Sequence, residues 1–208
     1  MIIRALRKED AHTAARLHRE VLPTTFLASL GERFLTALYE VIGDSPCAFG
    51  FVAEEGGEMI GVGIATTDTR QLFRTTLFRR GWQIVPLLAI RAFRSPSLLM
   101  RIWETRSYPD KMDAHPGEAE LLFSGVRPDY RRRGIWRQLV RARLAECCRR
   151  GCSSALAMVE KSNKAMLRLL LKEGFEPQGE FVLYGREVQA LRYQLVPQEG
   201  SQEQARLE

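Results

Sequence analysis

The chain has 208 residues, 45% hydrophobic and 27% charged, with 16 Gly, 9 Pro and 4 Cys. That balance fits one globular domain and excludes a disordered, collagenous or disulfide-stapled chain. Net charge is +6, but residues 70–106 hold eight Arg against Glu104, and residues 127–150 hold nine Arg against Asp129 and Glu146. Each segment is thus +7, and the rest of the chain is −8 (6 − 14). Such localisation suggests recognition of an anion rather than a uniformly basic nucleic-acid binder, and no nucleic acid is expected as a partner. No apolar run reaches the roughly 18 residues of a membrane span; the longest, Ile84–Ile90, stops at Arg91. The start, Met1-Ile-Ile-Arg-Ala-Leu-Arg, is charged too early for a signal peptide, so a cytoplasmic location is expected. Cys47, Cys147, Cys148 and Cys152 form no C-x-x-C and have no His at ligand spacing, so free thiols and no metal are expected.

In chain order, Ile2–Leu6 reads as a strand. Asp10 is placed to cap a helix that runs to Leu22 and stops at Pro23. Apolar residues at helical spacing predict a second helix over 26–42. Cys47–Ala53 and Met59–Thr66 alternate as strands, joined by Glu54-Glu-Gly-Gly57. Residues 69–117 interrupt this rhythm with regularly placed Arg in apolar sequence and with Pro86, Pro96, Pro109 and Pro116. They read as a helical insert of two or three short helices and a loop: a packed appendage, a lid over an acceptor, or a basic face for an anionic membrane. Strand 118–126, helix 135–150, strand 154–159, a helix capped by Ser162 or Asn163 and closed by Gly174, and a hairpin of 180–184 with 188–196 follow. Residues 1–196 are expected to form one domain, and 197–208 a disordered tail.

The chemistry-bearing segment is the strand, turn and helix at 118–150. A helix that begins directly after a glycine turn offers unpaired backbone N–H groups and its positive dipole end, a natural seat for a diphosphate. Gly134 lets the ligand approach the backbone, and Arg131, Arg132 and Arg133 add charge that can pair with phosphate. Neither G-K-[ST] nor G-x-G-x-x-G is present.

The run Ala119-Glu-Leu-Leu-Phe-Ser-Gly-Val-Arg-Pro-Asp-Tyr-Arg-Arg-Arg-Gly-Ile135 resembles motif A of the GNAT superfamily of acyl-CoA-dependent N-acyltransferases. Asn163 through Lys172-Glu-Gly-Phe175 is similar to that family's downstream N-x-x-A-x-x-x-Y-x-K-x-G-F helix. The resemblance implies a mixed, splayed central sheet flanked by helices, with a helical insert before the motif A strand, and acetyl-CoA or another acyl-CoA as acyl donor. It also implies residue roles. Ser124 and Val126 would offer backbone groups to the pantetheine arm. Backbone N–H groups across Arg131, Arg132, Arg133, Gly134, Ile135 and Trp136 would hold the pyrophosphate, and Asn163 would touch the pantetheine. Glu120 stands where one branch of the family keeps a general-base glutamate. Strict alternation would put Glu120, Leu122, Ser124 and Val126, with Glu118, on one strand face. A carboxylate in an apolar strand surface has its pKa raised toward the working pH, where a base is most effective.

Two positions depart from the pattern. Trp136 replaces a small residue, so its indole either narrows the cofactor opening or turns outward to stack on adenine. The family's frequent thiolate-protonating Tyr falls on Leu170, which leaves that task to Tyr184 or Tyr193 on the last strands, or to water. The expected activity is acetyl transfer to a primary amine of a small molecule by direct attack, and the Arg-rich insert hints at an anionic acceptor. Oligomeric state stays open, a dimer included. Two other classes remain: a CoA-binding module with weakened catalysis, and an anion binder acting through its Arg segments.

Overall fold

The computed structural model describes residues 1–94 and 117–195. Seven strands form one open sheet in the order β1-β2-β3-β4-β5-β7-β6: β1 (Ile2–Ala5), β2 (Ala48–Glu55), β3 (Glu58–Thr66), β4 (Glu118–Val126), β5 (Ser154–Glu160), β6 (Glu176–Leu183) and β7 (Arg186–Gln194). Every neighbouring pair is antiparallel except β4 and β5. The expected mixed sheet flanked by helices is the architecture found. On one face α1 (Ala11–Val21), α2 (Phe26–Ser29), α3 (Glu32–Gly43) and α4 (Thr69–Arg94) pack over β1–β4, burying Leu17, Leu35, Leu38, Ile64 and Leu72. On the other, α5 (Ile135–Arg149) and α6 (Lys164–Lys172) enclose Ala119, Leu121, Val140, Leu144, Leu170 and Phe175.

Several elements differ from the sequence expectation. Asp10 caps no N–H of α1; its carboxylate instead accepts from Arg7 N at 2.8 Å and from both Arg4 terminal nitrogens at 2.7 and 2.9 Å, tying the first turn to β1. The helix expected over 26–42 is two, because Gly31 takes φ +88°, a conformation outside the helical range that glycine adopts without steric penalty. The insert begins as a single 26-residue helix, α4, which continues through Pro86; residues 95–116, which the expectation of further helices and a loop covers, lie outside the described residues, as does the tail 197–208. The last hairpin is longer than expected. Its β6 starts at Glu176, and Pro177 is tolerated because β6 is an edge strand with a register shift at that point. Its turn is Tyr184-Gly185, both at positive φ (53° and 73°).

Candidate active site

Two irregularities of β4 create the site. Its parallel pairing with β5 runs only over Glu118–Leu121 against Ser154–Ala157, while β4 continues to Val126 and β5 to Glu160. The two strands therefore part at mid-sheet. In the same place Ile64 of β3 opposes Phe123 and Thr66 opposes Glu120, so two steps on β3 answer three on β4. This bulge resets the alternation of side chains. Ala119 and Leu121 pack toward α5, as do Val126 and Ser124; Glu120 and Phe123 face the opposite side, toward His18 of α1. The expected single face of Glu120, Leu122, Ser124 and Val126 is thus not formed: the extra residue puts Ser124 and Val126 across the sheet from Glu120.

Arg143, on α5, is 1% exposed and lies under the bulge. Its guanidinium donates to Leu139 O (3.1 Å), Ile64 O (3.2 Å), Phe123 O (3.5 Å) and Ser124 Oγ (3.1 Å). Burial lowers its pKa to about 10, so it remains a cation at neutral pH. Gly63 makes room for it, since a Cβ there would stand 2.9 Å from Arg143 Nε. Sequence reasoning counted this Arg only within the basic segment 127–150.

A cleft of about 210 Å³ opens on the Glu120 side. Glu120 and Phe123 of β4, His18, Phe26, Leu72, Met158 and Tyr184 are among its walls. Glu120 is 7% exposed and accepts a hydrogen bond from Thr69 Oγ1 of α4. Tyr184 stacks on Phe26 with centroids 4.9 Å apart and planes at 28°. A bulky residue at φ 53° is strained, and the strain sits at the cleft mouth. Tyr193 is not in this wall; it packs on Phe175 at 5.2 Å on the α5–α6 side. Leu170 is buried in that same cluster, so the position that carries the family's frequent Tyr points into the core here. The described Arg of α4 are absent from the cleft wall, and Arg186, which is in it, pairs with Glu160.

His18 is a cleft residue that the sequence reading passed over. Nδ1 lies 3.2 Å from Tyr39 Oη, and Nε2 lies 3.3 Å from Thr25 Oγ1. Thr25 Oγ1 donates to Leu22 O at 2.9 Å, so it is the acceptor for Nε2–H, and Nδ1 accepts from the Tyr39 hydroxyl. The imidazole is therefore held neutral, and burial pushes its pKa down to about 4. Its spacing from Ala14, Ala15 and Val21 on the inner side of α1 is the signal that marks it as buried.

The turn after β4 has the features of an anion seat. Gln138 N bonds to Gly134 O, which makes this the first intrahelical bond of α5 and leaves the N–H groups of Ile135, Trp136 and Arg137 without an i−4 acceptor. Gly134, at φ +72°, is the N-cap and brings no capping side chain; a Cβ there would meet nothing within 4 Å. The three loop arginines differ. Arg133 is held by Glu55 at 2.9 and 2.7 Å, and Arg131 Nε donates to Val126 O at 3.2 Å. Arg132, exposed and at φ 64°, has no side-chain partner among the described residues. Elsewhere in this basic segment Arg127 pairs with Glu20 and Glu58, Arg137 and Arg141 with Glu173, and Arg149 and Arg150 with Glu146. Four acids outside the segment, Glu20, Glu55, Glu58 and Glu173, thus pair with its arginines, while Glu146 is already counted within the +7. Trp136 is half-buried and packs against the clusters beneath α5 rather than turning outward; its Nε1 has no partner among the described residues. Asn163 caps α6, its Oδ1 accepting from Met166 N at 3.2 Å. Cys147 is buried with its pKa pushed up to about 12, so it stays a protonated thiol, and no described cysteine lines the cleft.

A sheet that splays beside a bulged strand, with a glycine-initiated helix at the split, is the architecture that the motif A resemblance implied. The model of the acetyltransferase (GNAT) family matches residues 14–175, and the chain belongs to that family. An acetyltransferase of Sodalis glossinidius (strain morsitans) is 36% identical over 76 residues; the match covers 36% of this chain and spans about half, 52%, of that relative's length. Among solved structures, yncA of Salmonella typhimurium, solved with its cofactor acetyl-CoA, aligns with a TM-score of 0.63 at 17% identity over 96% of both chains. The ribosomal-protein-S18-alanine N-acetyltransferase of Escherichia coli aligns at 0.61 and 15% identity, over 96% of this chain and 97% of that one. At such identities the likeness concerns the fold. Among the described residues, no helix is long and apolar enough to cross a membrane.

Proposed function

We propose that the protein moves an acetyl group from acetyl-CoA to the primary amine of a small molecule by direct attack, with no covalent enzyme intermediate. The observation that carries this reading is the meeting of Glu120 and Tyr184, 64 positions apart in sequence, in one cleft where β4 and β5 separate. Three features support a diphosphate there: Gly134 leaves open space, the first N–H groups of α5 lack helical acceptors, and the Arg132 side chain has no partner among the described residues. Arg131, Arg133, Ile135 and Trp136 would contribute mainly backbone, because their side chains are engaged or packed. Ser124 and Val126 would present backbone along the parted edge of β4, and Asn163 its exposed amide from the far side.

Acetyl-CoA, when bound, supplies an activated thioester. Glu120 would take the proton that an ammonium acceptor must lose before its nitrogen becomes nucleophilic, and the Tyr184 hydroxyl would deliver a proton to the departing sulfur. Holding both partners in the cleft would provide most of the rate gain. The walls Phe26, Leu72, Phe123 and Met158 favour an acceptor whose body is apolar or aromatic over the anionic one that the Arg-rich insert suggested. The test is calorimetric titration with acetyl-CoA beside desulfo-CoA and ADP, then a thiol-release screen of amines graded in polarity. Micromolar binding with turnover confined to apolar amines supports the proposal. Binding without acceptor-dependent thiol release would leave a CoA-binding module instead, and no binding would remove the anion seat.

A further inference from the structure

The outer face of α4 is unlike the rest of the surface. Phe78 is 91% exposed, Trp82 74%, Val85 54% and Leu77 50%. Phe78, Trp82 and Val85 follow one another at helical spacing along the side opposite the buried Leu72, Thr76 and Ile84. The helix carries Arg70, Arg74, Arg79, Arg80, Arg91 and Arg94 and no acid. Arg80 turns inward to Glu40 at 2.7 Å, whereas Arg74 and Arg79 are exposed beside the apolar row. A row of large apolar side chains half or more exposed, flanked by cations, is the composition of a helix that lies in a lipid headgroup layer.

Charge decides among the possible occupants. A second copy docked through this face would set arginines against arginines. The segment 95–116 of the same chain has Arg101, Arg106 and Lys111 against Glu104, Asp110 and Asp113, so it carries no net negative charge with which to meet these arginines. A nucleic acid would match the arginines but would leave Phe78, Val85 and Leu77 without an apolar partner. An anionic bilayer satisfies both halves of the surface at once.

We propose that the outer face of α4 docks the protein on an anionic lipid membrane, with Phe78, Trp82 and Val85 entering the interface and Arg74 and Arg79 meeting headgroup phosphates. The proposal does not depend on acetyl transfer, since vesicle binding can be read with no substrate present. The full chain would be sedimented with vesicles of phosphatidylcholine alone and with vesicles that also contain phosphatidylglycerol. Binding is expected only to the second, weakening as salt rises. Phe78→Ser with Trp82→Ser should lower the affinity at least about tenfold. Arg74→Gln with Arg79→Gln should lower it about 25-fold, at about fivefold for each lost cation. Both variants change only exposed side chains, and unaltered thermal unfolding would verify that they fold. Absence of binding to the anionic vesicles, or binding that both variants retain in full, would overturn the proposal. So would concentration-dependent dimerisation by light scattering that Phe78→Ser with Trp82→Ser abolishes, because a second copy would then be the occupant.

Discussion

His18 gives the protein a calculable sensitivity to acid. In the unfolded chain the imidazole titrates near its ordinary 6.5; in the fold burial lowers this to about 4. The folded state therefore binds the proton less readily than the unfolded one. The stability that follows is complete above pH 6.5, declines as the pH falls, and is spent below about 4. The gap between 6.5 and about 4 corresponds to about 3 kcal/mol in all, at 1.36 kcal/mol per pH unit of gap, of which about 2 kcal/mol is lost by pH 5. The suitable perturbation is His18→Gln, whose amide oxygen can accept from Tyr39 and whose amide N–H can reach Thr25 without titrating. Losing the edge-on ring contact with Phe123, 4.7 Å between centroids, should make the variant less stable at neutral pH by about 1 kcal/mol. Urea unfolding of both proteins at about pH 7.5 and about pH 5 isolates the titration, because every other group is common to the two. The wild type should lose about 2 kcal/mol more than the variant between those conditions. Equal losses would refute the reasoning, since they would mean that His18 is charged in the fold or is not buried.

Glu120→Gln should leave acetyl-CoA affinity unchanged and lower kcat by about 100-fold or more at neutral pH, with partial recovery as rising pH supplies free amine; equal rates at all pH would exclude Glu120 as the base. Gly134→Asp should fold normally, because open space and a helix N-terminus favour the carboxylate, offsetting the positive-φ strain, and should weaken acetyl-CoA binding by about 100-fold or more in calorimetry. Arg132→Ala should reduce that affinity about fivefold or more, whereas Arg133→Ala, whose side chain is spent on Glu55, should change it less. Arg143→Met should cost about 3 kcal/mol in urea unfolding, because it strips the donor from buried Ile64, Phe123 and Ser124 acceptors at the bulge.

The strand at 118–126, its turn and the helix from Ile135 were legible in the sequence because their determinants are local. A short apolar run bounded by Gly117 and Pro128 makes the strand, Pro128 and Gly134 shape the turn, and a helical apolar stripe beginning at Ile135 makes α5. The proposed anion seat could be read for the same reason: N–H groups without helical acceptors at a helix start follow from chain geometry alone. The cap of α6 could be narrowed to Ser162 or Asn163 from residue type, and the structure uses Asn163; Gly174 could be placed at its end.

The site's chemistry depended on distant partners. The bulge that turns Ser124 and Val126 away from Glu120 exists only in the register between β3 and β4, and a strand's own sequence does not state where its partner gains or loses a residue. The strand order β4-β5-β7-β6, not the chain order, brings Tyr184 to the cleft and sends Tyr193 to the opposite layer. Arg143 and Arg133 look alike in sequence, yet one solvates the bulge in the interior and the other is tied to Glu55, because burial and pairing arise from elements far apart along the chain. Local backbone preference and side-chain periodicity thus determined which elements form and where α5 opens with N–H groups that lack helical acceptors. Only the packing of those elements decided which carboxylate, phenol, imidazole and guanidinium share the cleft and the strand that builds it.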